Sequence, residues 1–231
     1  MTERERQVTY AGQVEDGRIS HDGRVIAVKT SAGVDRVDRV DLVPATGGPA
    51  SRFCDACGMA DWSADDANLL IARNSGRRLS VRERVSGREM VLVEHPTWSL
   101  YQARFSPDGR WVAFHTTNSS SLRQVYAVPT FAERPVPFAK WIPVVADSGF
   151  YPDWSPDGAA IYHFSIRDGA ICAWLQPLDP NTKRPSGQPR AVQHFHQPRL
   201  RGGPDGHLSA GFLYLTLTET LGNIWMLEGH D

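Results

Sequence analysis

"FSPDGRWVAF" at residues 105–114 and "WSPDGAAIYHF" at 154–164 share an order: an aromatic residue, the string SPDG, then an apolar run. The string has a local mechanism. Proline presets φ, the aspartate side chain caps the turn, and glycine takes a left-handed position, so two strands are joined by a tight turn. Two looser copies lie upstream, "GRISHDGRVIAVKT" around Ser20 and "ADWSADDANLLIAR" around Ser63. Aligned on the serine, the four units are separated by 43, 43 and 49 residues.

After each second strand and a polar loop comes a third β-rich run, "VDRVDLV", "LSVRERV", "QVYAVP" or "ICAWLQPL". A fourth follows in most units, as in "EMVLVEH", "KWIPVVA" and "RAVQHFH". Helical periodicity is almost absent. Four antiparallel strands at this period describe the blade of a β-propeller. A degenerate fifth unit, "GHLSAGFLYLTLTETLGNIWMLE", supplies three strands, and "RQVTYAG" near the N-terminus has no blade of its own. The expectation is therefore an all-β, five-bladed propeller forming one domain over 1–231. Its blades span about 13–55, 56–96, 97–147, 148–197 and 198–231, and the N-terminal strand 6–12 completes the last one. Such closure removes an exposed sheet edge.

Composition narrows the function classes. The 231 residues are 41% hydrophobic and 22% charged, with a formal net charge of −1. That balance signals neither a nucleic-acid nor a membrane surface. The charged start "MTERERQVTY" lacks the apolar core of a signal peptide, and no stretch has the roughly 18 apolar residues of a membrane span. Three cysteines, Cys54, Cys57 and Cys172, are too few for a disulfide framework. The expected compartment is the cytoplasm, with Cys54 and Cys57 of "FCDACG" read as two thiols in a loop.

The units resemble the WD-like propeller repeats of the TolB type, with "SPDG", then a run such as "WVAF" or "AIYHF", then a strand such as "VYAV". The stretch from "WSPDG" to "LTETLGNIWM" resembles the end of propellers that follow protein-kinase or winged-helix domains in bacterial sensor proteins. The chain itself carries no kinase Gly-rich loop, catalytic-loop signature or basic recognition helix. The resemblance implies a fold and the binding of a protein, a peptide or a small molecule on one face. It implies no reaction, because one fold hosts many functions.

In a propeller the second-to-third and outer-to-inner connections emerge on the face opposite the SPDG turns. On that face fall His95, His115, His163, His194, His196 and His207, six of the eight histidines. An uneven scatter would give the same count. Three imidazoles and a water make a catalytic zinc site. The candidate metal ligands are accordingly His115, His163 and His207, with His95 as a further donor, and the implied cofactor is either none or a zinc-type divalent ion. Arg18, Asp61, Arg104 and Asp153 recur two residues before each turn serine, alternating in sign. Pairing of Arg18 with Asp61 and of Arg104 with Asp153 is expected to be structural, with Asp153 the candidate general base. Trp98, Tyr101 and Tyr151 are candidates for stacking on a ligand. No Ser-His-Asp order, G-x-S-x-G elbow or phosphate-cradling loop is visible. Two functions follow: a binding module presenting this face, with no nucleic acid or membrane as partner, or a metal-dependent hydrolase of esters or phosphoesters.

Overall fold

The computed structural model describes residues 14–32, 37–131, 134–196, 200–209 and 212–219. Among these, the strands form four four-stranded antiparallel sheets, each a meander of consecutive strands. The first holds β1 (Val14–Ile19), β2 (Val25–Ala32), β3 (Val37–Pro44) and β4 (Ser51–Asp55). The second holds β5 (Gly58–Trp62), β6 (Asn68–Arg73), β7 (Arg78–Glu83) and β8 (Glu89–Glu94). The third holds β9 (Ser99–Phe105), β10 (Trp111–Thr117), β11 (Arg123–Pro129) and β12 (Ile142–Val145), with a 3-10 turn at Phe138–Lys140 before its last strand. The fourth holds β13 (Gly149–Trp154), β14 (Ala160–Ser165), β15 (Cys172–Pro177) and β16 (Arg190–Gln193). β17 (Leu200–Ser209) and β18 (Phe212–Glu219) pair as a two-stranded sheet. The expected N-terminal strand 6–12 and the "NIWMLE" strand lie outside the described residues. The description thus contains four complete blades and a hairpin, where five blades were expected.

Each turn is built the same way. Ser20, Ser63, Ser106 and Ser155 donate through Oγ to the aspartate two residues on, at 2.5–2.6 Å. The same oxygens accept the backbone N–H five residues on, at 2.9–3.0 Å. The glycine place has positive φ at Gly23, Gly109 and Gly158. In the second sheet Asp66 stands there with φ 57°. Its carboxylate crosses to the first sheet, accepting the N–H of His21 at 2.8 Å and of Asp22 at 2.9 Å, and contacting His21 Nδ1 at 3.0 Å.

The second strands of the second and third sheets carry unbroken apolar runs, "LLIA" and "WVAF", because both faces of those sheets are covered. Leu69 and Ile71 pack with Ala27, Val40 and Phe53 of the first sheet, whereas Leu70 packs with Val112 and Phe114 of the third. Likewise Ala113 turns to Trp154 and Ile161 of the fourth sheet. Indoles fix the stacking: Trp62 Nε1 donates to the Arg18 carbonyl at 3.0 Å, and Trp154 Nε1 to the Arg104 carbonyl at 3.1 Å. Among the described residues, no helix is long and apolar enough to cross a membrane.

Candidate functional site

The first strand of every sheet carries a register shift near its start. Gln102 and Tyr151, each four residues before its turn serine, have φ of 49° and 53° there, a conformation costly for residues with a Cβ. The bulges of the first three sheets border a cleft of about 770 Å³ on the face opposite the SPDG turns. Glu15, Asp16, Lys29, Asp38, Tyr101 and Gln102 line its polar wall, over a floor that includes Leu79 and Leu100. Lys29 bridges Glu15 at 3.1 Å and Asp38 at 3.0 Å. The volume lies in the range of small-ligand pockets.

Arg18, Asp61, Arg104 and Asp153 share one electrostatic environment. Arg104, 5% exposed, donates through Nη1 to the Ala60 carbonyl at 2.8 Å, and thus reaches back to the second sheet. Its Nε has no hydrogen-bond partner. Burial pushes the Asp61 carboxyl up, against the opposing charges of Arg104 and Arg18 and the Phe105 N–H, which donates to Oδ2 at 2.9 Å. Burial and the Arg104 charge lower Arg18, opposed by Asp16, Asp61 and Asp153. The strongest attraction on Asp61 therefore comes from Arg104, not from Arg18 as the repeat alignment suggested. Asp153 accepts the N–H of Trp154 at 3.0 Å.

The predicted ligands take different places. His115 lies between Tyr101 and Tyr151, with ring centroids 5.6 and 5.5 Å away, and its Nδ1 accepts the Tyr151 N–H at 3.4 Å. Burial, reinforced by Arg123 and Arg104, holds its pKa down at about 3, so the ring is neutral. His163 is 2% exposed and lowered to about 4, chiefly by burial and then by Arg167. Neither of its ring nitrogens has a hydrogen-bond partner of good geometry. His95 accepts the Thr97 and Trp98 N–H groups at Nδ1 and stacks on Trp98 at 4.4 Å. Trp98 in turn packs against the core between the second and third sheets. His207 lies on β17, and its side chain is outside the described residues.

A different group has metal-ligand chemistry. Asp168, Cys172, His194 and His196 place donor atoms within 4.8 Å of one another. Asp168 comes from the β14–β15 connection, Cys172 opens β15, and the histidines follow β16. Extended backbone alternates side chains, so His194 and His196 share one side while Phe195, 7% exposed, enters a core cluster with Phe150 and Phe164. The H-x-H spacing in "QHFHQP" was the sequence signal, but nothing local linked it to Asp168 or Cys172. Cys54 and Cys57, expected as free thiols, form a disulfide at the β4–β5 connection. A disulfide there does not fit the reducing compartment expected from the cysteine number.

No protein-family model matches the chain, and no curated protein matches it in sequence. Solved structures do resemble it. A TolB protein from Agrobacterium tumefaciens is 19% identical with a TM-score of 0.61, over 76% of this chain and 63% of that one. TolB from Acinetobacter baumannii is 16% identical with a TM-score of 0.60, over 85% and 50%. The β-propeller domain of the Trilobed protease from Pyrococcus furiosus, described as having an open velcro topology, is 14% identical with a TM-score of 0.58, over 90% and 66%. The chain spans less than two thirds of either TolB structure. At these identities the likeness establishes the fold, a TolB-like β-propeller, and nothing finer.

Proposed function

We propose that the chain is a binding module that receives a peptide segment or small polar ligand in the cleft opposite the SPDG turns. The observation that carries this is the cleft itself, whose walls come from the first three sheets at the bulged starts of their inner strands. Three carboxylates, Glu15, Asp16 and Asp38, stand on its wall. Lys29 spans Glu15 and Asp38, and Arg73 pairs with Glu89 at 2.7 Å, so the three carboxylates of the wall face two cations and exceed them by one. This charge favours a ligand bearing an amine or guanidinium, with Tyr101, 44% exposed, as the stacking surface.

In this reading the ring has five blades, the last completed by residues 6–12. The alternative of a metal-dependent hydrolase is favoured by the Asp168 group, but four protein donors fill a tetrahedral shell and leave no position for a reactive water. Short Lys/Arg-rich peptides and their Glu-rich counterparts, followed by amide hydrogen exchange, test the proposal. The basic peptides should protect residues 56–58, 74–76 and 100–102, and Tyr101→Ala should weaken binding about tenfold. Protection confined to the SPDG turns, or equal binding of acidic peptides, would overturn it.

A further inference from the structure

We infer that Asp168, Cys172, His194 and His196 form a closed site for a zinc-type divalent ion that staples the β14–β15 connection to the segment after β16. The donor set is one sulfur, two imidazoles and a carboxylate, a combination that suits Zn²⁺ and discriminates against Mg²⁺ and Ca²⁺. All four ligand atoms already lie within 4.8 Å of one another, so a tetrahedral ion is accommodated by small rotations rather than by refolding.

The present hydrogen bonds resemble those of a metal site occupied by protons. Asp168 Oδ2 is shared by His194 Nδ1 at 2.8 Å and His196 Nε2 at 2.9 Å, so one carboxylate oxygen stands where both imidazoles converge. The other oxygen, Oδ1, is buried with no hydrogen bond of good geometry among the described residues, and the Asp168 carboxylate lies against the Cys172 thiol. Cys172 is fully buried at the inner end of the group, and its sulfur accepts the Phe195 N–H at 3.3 Å. That contact holds the thiol on the side from which the histidines project. The histidines themselves are half exposed, which gives an ion a path inward.

The fold explains what the ion would do. β15 and β16 pair in register through Ala173 and Gln193, so the chain leaving β16 runs beside the start of β15, and His194 and His196 meet the loop carrying Asp168. A bound ion would fix this segment, which leads into the β17–β18 hairpin. It would act as a structural cross-link, because no ligand position remains open. Binding requires loss of the Cys172 proton, which passes to solvent as the sulfur–metal bond forms.

Titration of the intact chain with Co²⁺, under conditions that keep the Cys54–Cys57 disulfide oxidised, tests the site. One equivalent should bind with intense visible bands of a tetrahedral ion and a near-ultraviolet thiolate-to-cobalt band, and Zn²⁺ should displace it. Cys172→Ser should abolish the thiolate band, and His194→Ala with His196→Ala should lower affinity by at least about 100-fold. Asp168→Asn, on an exposed connection, gives a second variant should Cys172→Ser fail to fold, and it too should weaken binding. Absence of a stoichiometric complex, a weak six-coordinate spectrum without the thiolate band, or a spectrum and affinity unchanged by all the variants would overturn the assignment.

Discussion

Replacing Asp66 by glycine restores the residue that the other three turns carry, yet the structure predicts that it weakens the protein. Two effects oppose each other. Glycine relieves the left-handed backbone at φ 57°, a gain of about 1 kcal/mol, but it also enlarges the entropy of the unfolded chain by roughly the same amount. The backbone terms therefore nearly cancel. What remains is the loss of the bridge to the first sheet, two amide-to-carboxylate bonds at 2.8 and 2.9 Å and the contact with His21 Nδ1. Such charge-assisted bonds contribute about 1.5–3 kcal/mol each when buried. Water can reach the freed amides of exposed His21 and Asp22, so about 1 kcal/mol per bond is the better figure. The expected result of Asp66→Gly is a loss of about 2 kcal/mol in urea unfolding at pH 7, with an unchanged slope. Asp66→Asn, which keeps an acceptor and tolerates the backbone, should lie between. Burial alone would raise the Asp66 carboxyl, but the His21 and Asp22 amides outweigh it and hold the group low. The difference between wild type and Asp66→Asn should therefore be full above an unfolded-state pKa of about 3.9 and vanish as pH falls through the lower folded value. A glycine variant as stable as wild type, or more so, would refute the bridge.

His163 gives a second prediction. Eight residues after the turn serine the other sheets place Val28, Ile71 and Phe114, so His163→Phe should raise stability by about 1–2 kcal/mol at pH 7 through removal of an unpartnered buried ring. Because the folded pKa is lowered to about 4, the unfolded chain takes up the proton first, and stability falls as pH drops from about 6.5. The variant should lose about 1.4 kcal/mol per pH unit of that slope, read from thermal unfolding at several pH values; an unchanged slope would count against the assignment. Removal of residues 1–12 tests ring closure. Loss of a strand that completes the last blade should cost about 3 kcal/mol, or roughly 6–12 °C in Tm for a chain of this size, and cause concentration-dependent association. An unaltered, monomeric melt would leave the ring open.

The blades were legible because each turn is specified within six residues: Ser106, Asp108, Gly109 and the Trp111 amide satisfy one another without distant help. The stacking of sheets is fixed at Trp62 and Trp154, whose indoles need a polar partner when buried and find it on the neighbouring sheet. Pairing across blades was not, because it depends on the stagger between sheets. Arg104 aligns with Asp153 as well as with Asp61, and only the packing brings its guanidinium to the Ala60 carbonyl. The cysteine pair was equally ambiguous, since C-x-x-C spacing suits thiols, a metal or a disulfide, and the choice rests on a turn in which Ala56 adopts φ 49°. The Asp168 group was hidden for a different reason. Its ligands come from two segments more than twenty residues apart, and the β15–β16 register, not either segment, makes them neighbours.

The repeat supplies an internal control for deciding which departures serve the scaffold. Asp66 departs from glycine, but every polar atom it adds is bonded to the adjoining sheet, so packing accounts for it. The places equivalent to His115 hold Lys29, Ala72 and Phe164, and at His115 two tyrosines and an amide enclose the ring. It forms part of the aromatic wall, held neutral by burial with Nδ1 accepting the Tyr151 N–H. Asp168, His194 and His196 behave otherwise. Their side-chain bonds run among themselves, the histidines are half exposed, and two segments would be held no less well by apolar contacts at the same places. A group whose polar bonds are internal, on a rim where the scaffold asks for none of them, is what a ligand set looks like before its ligand arrives.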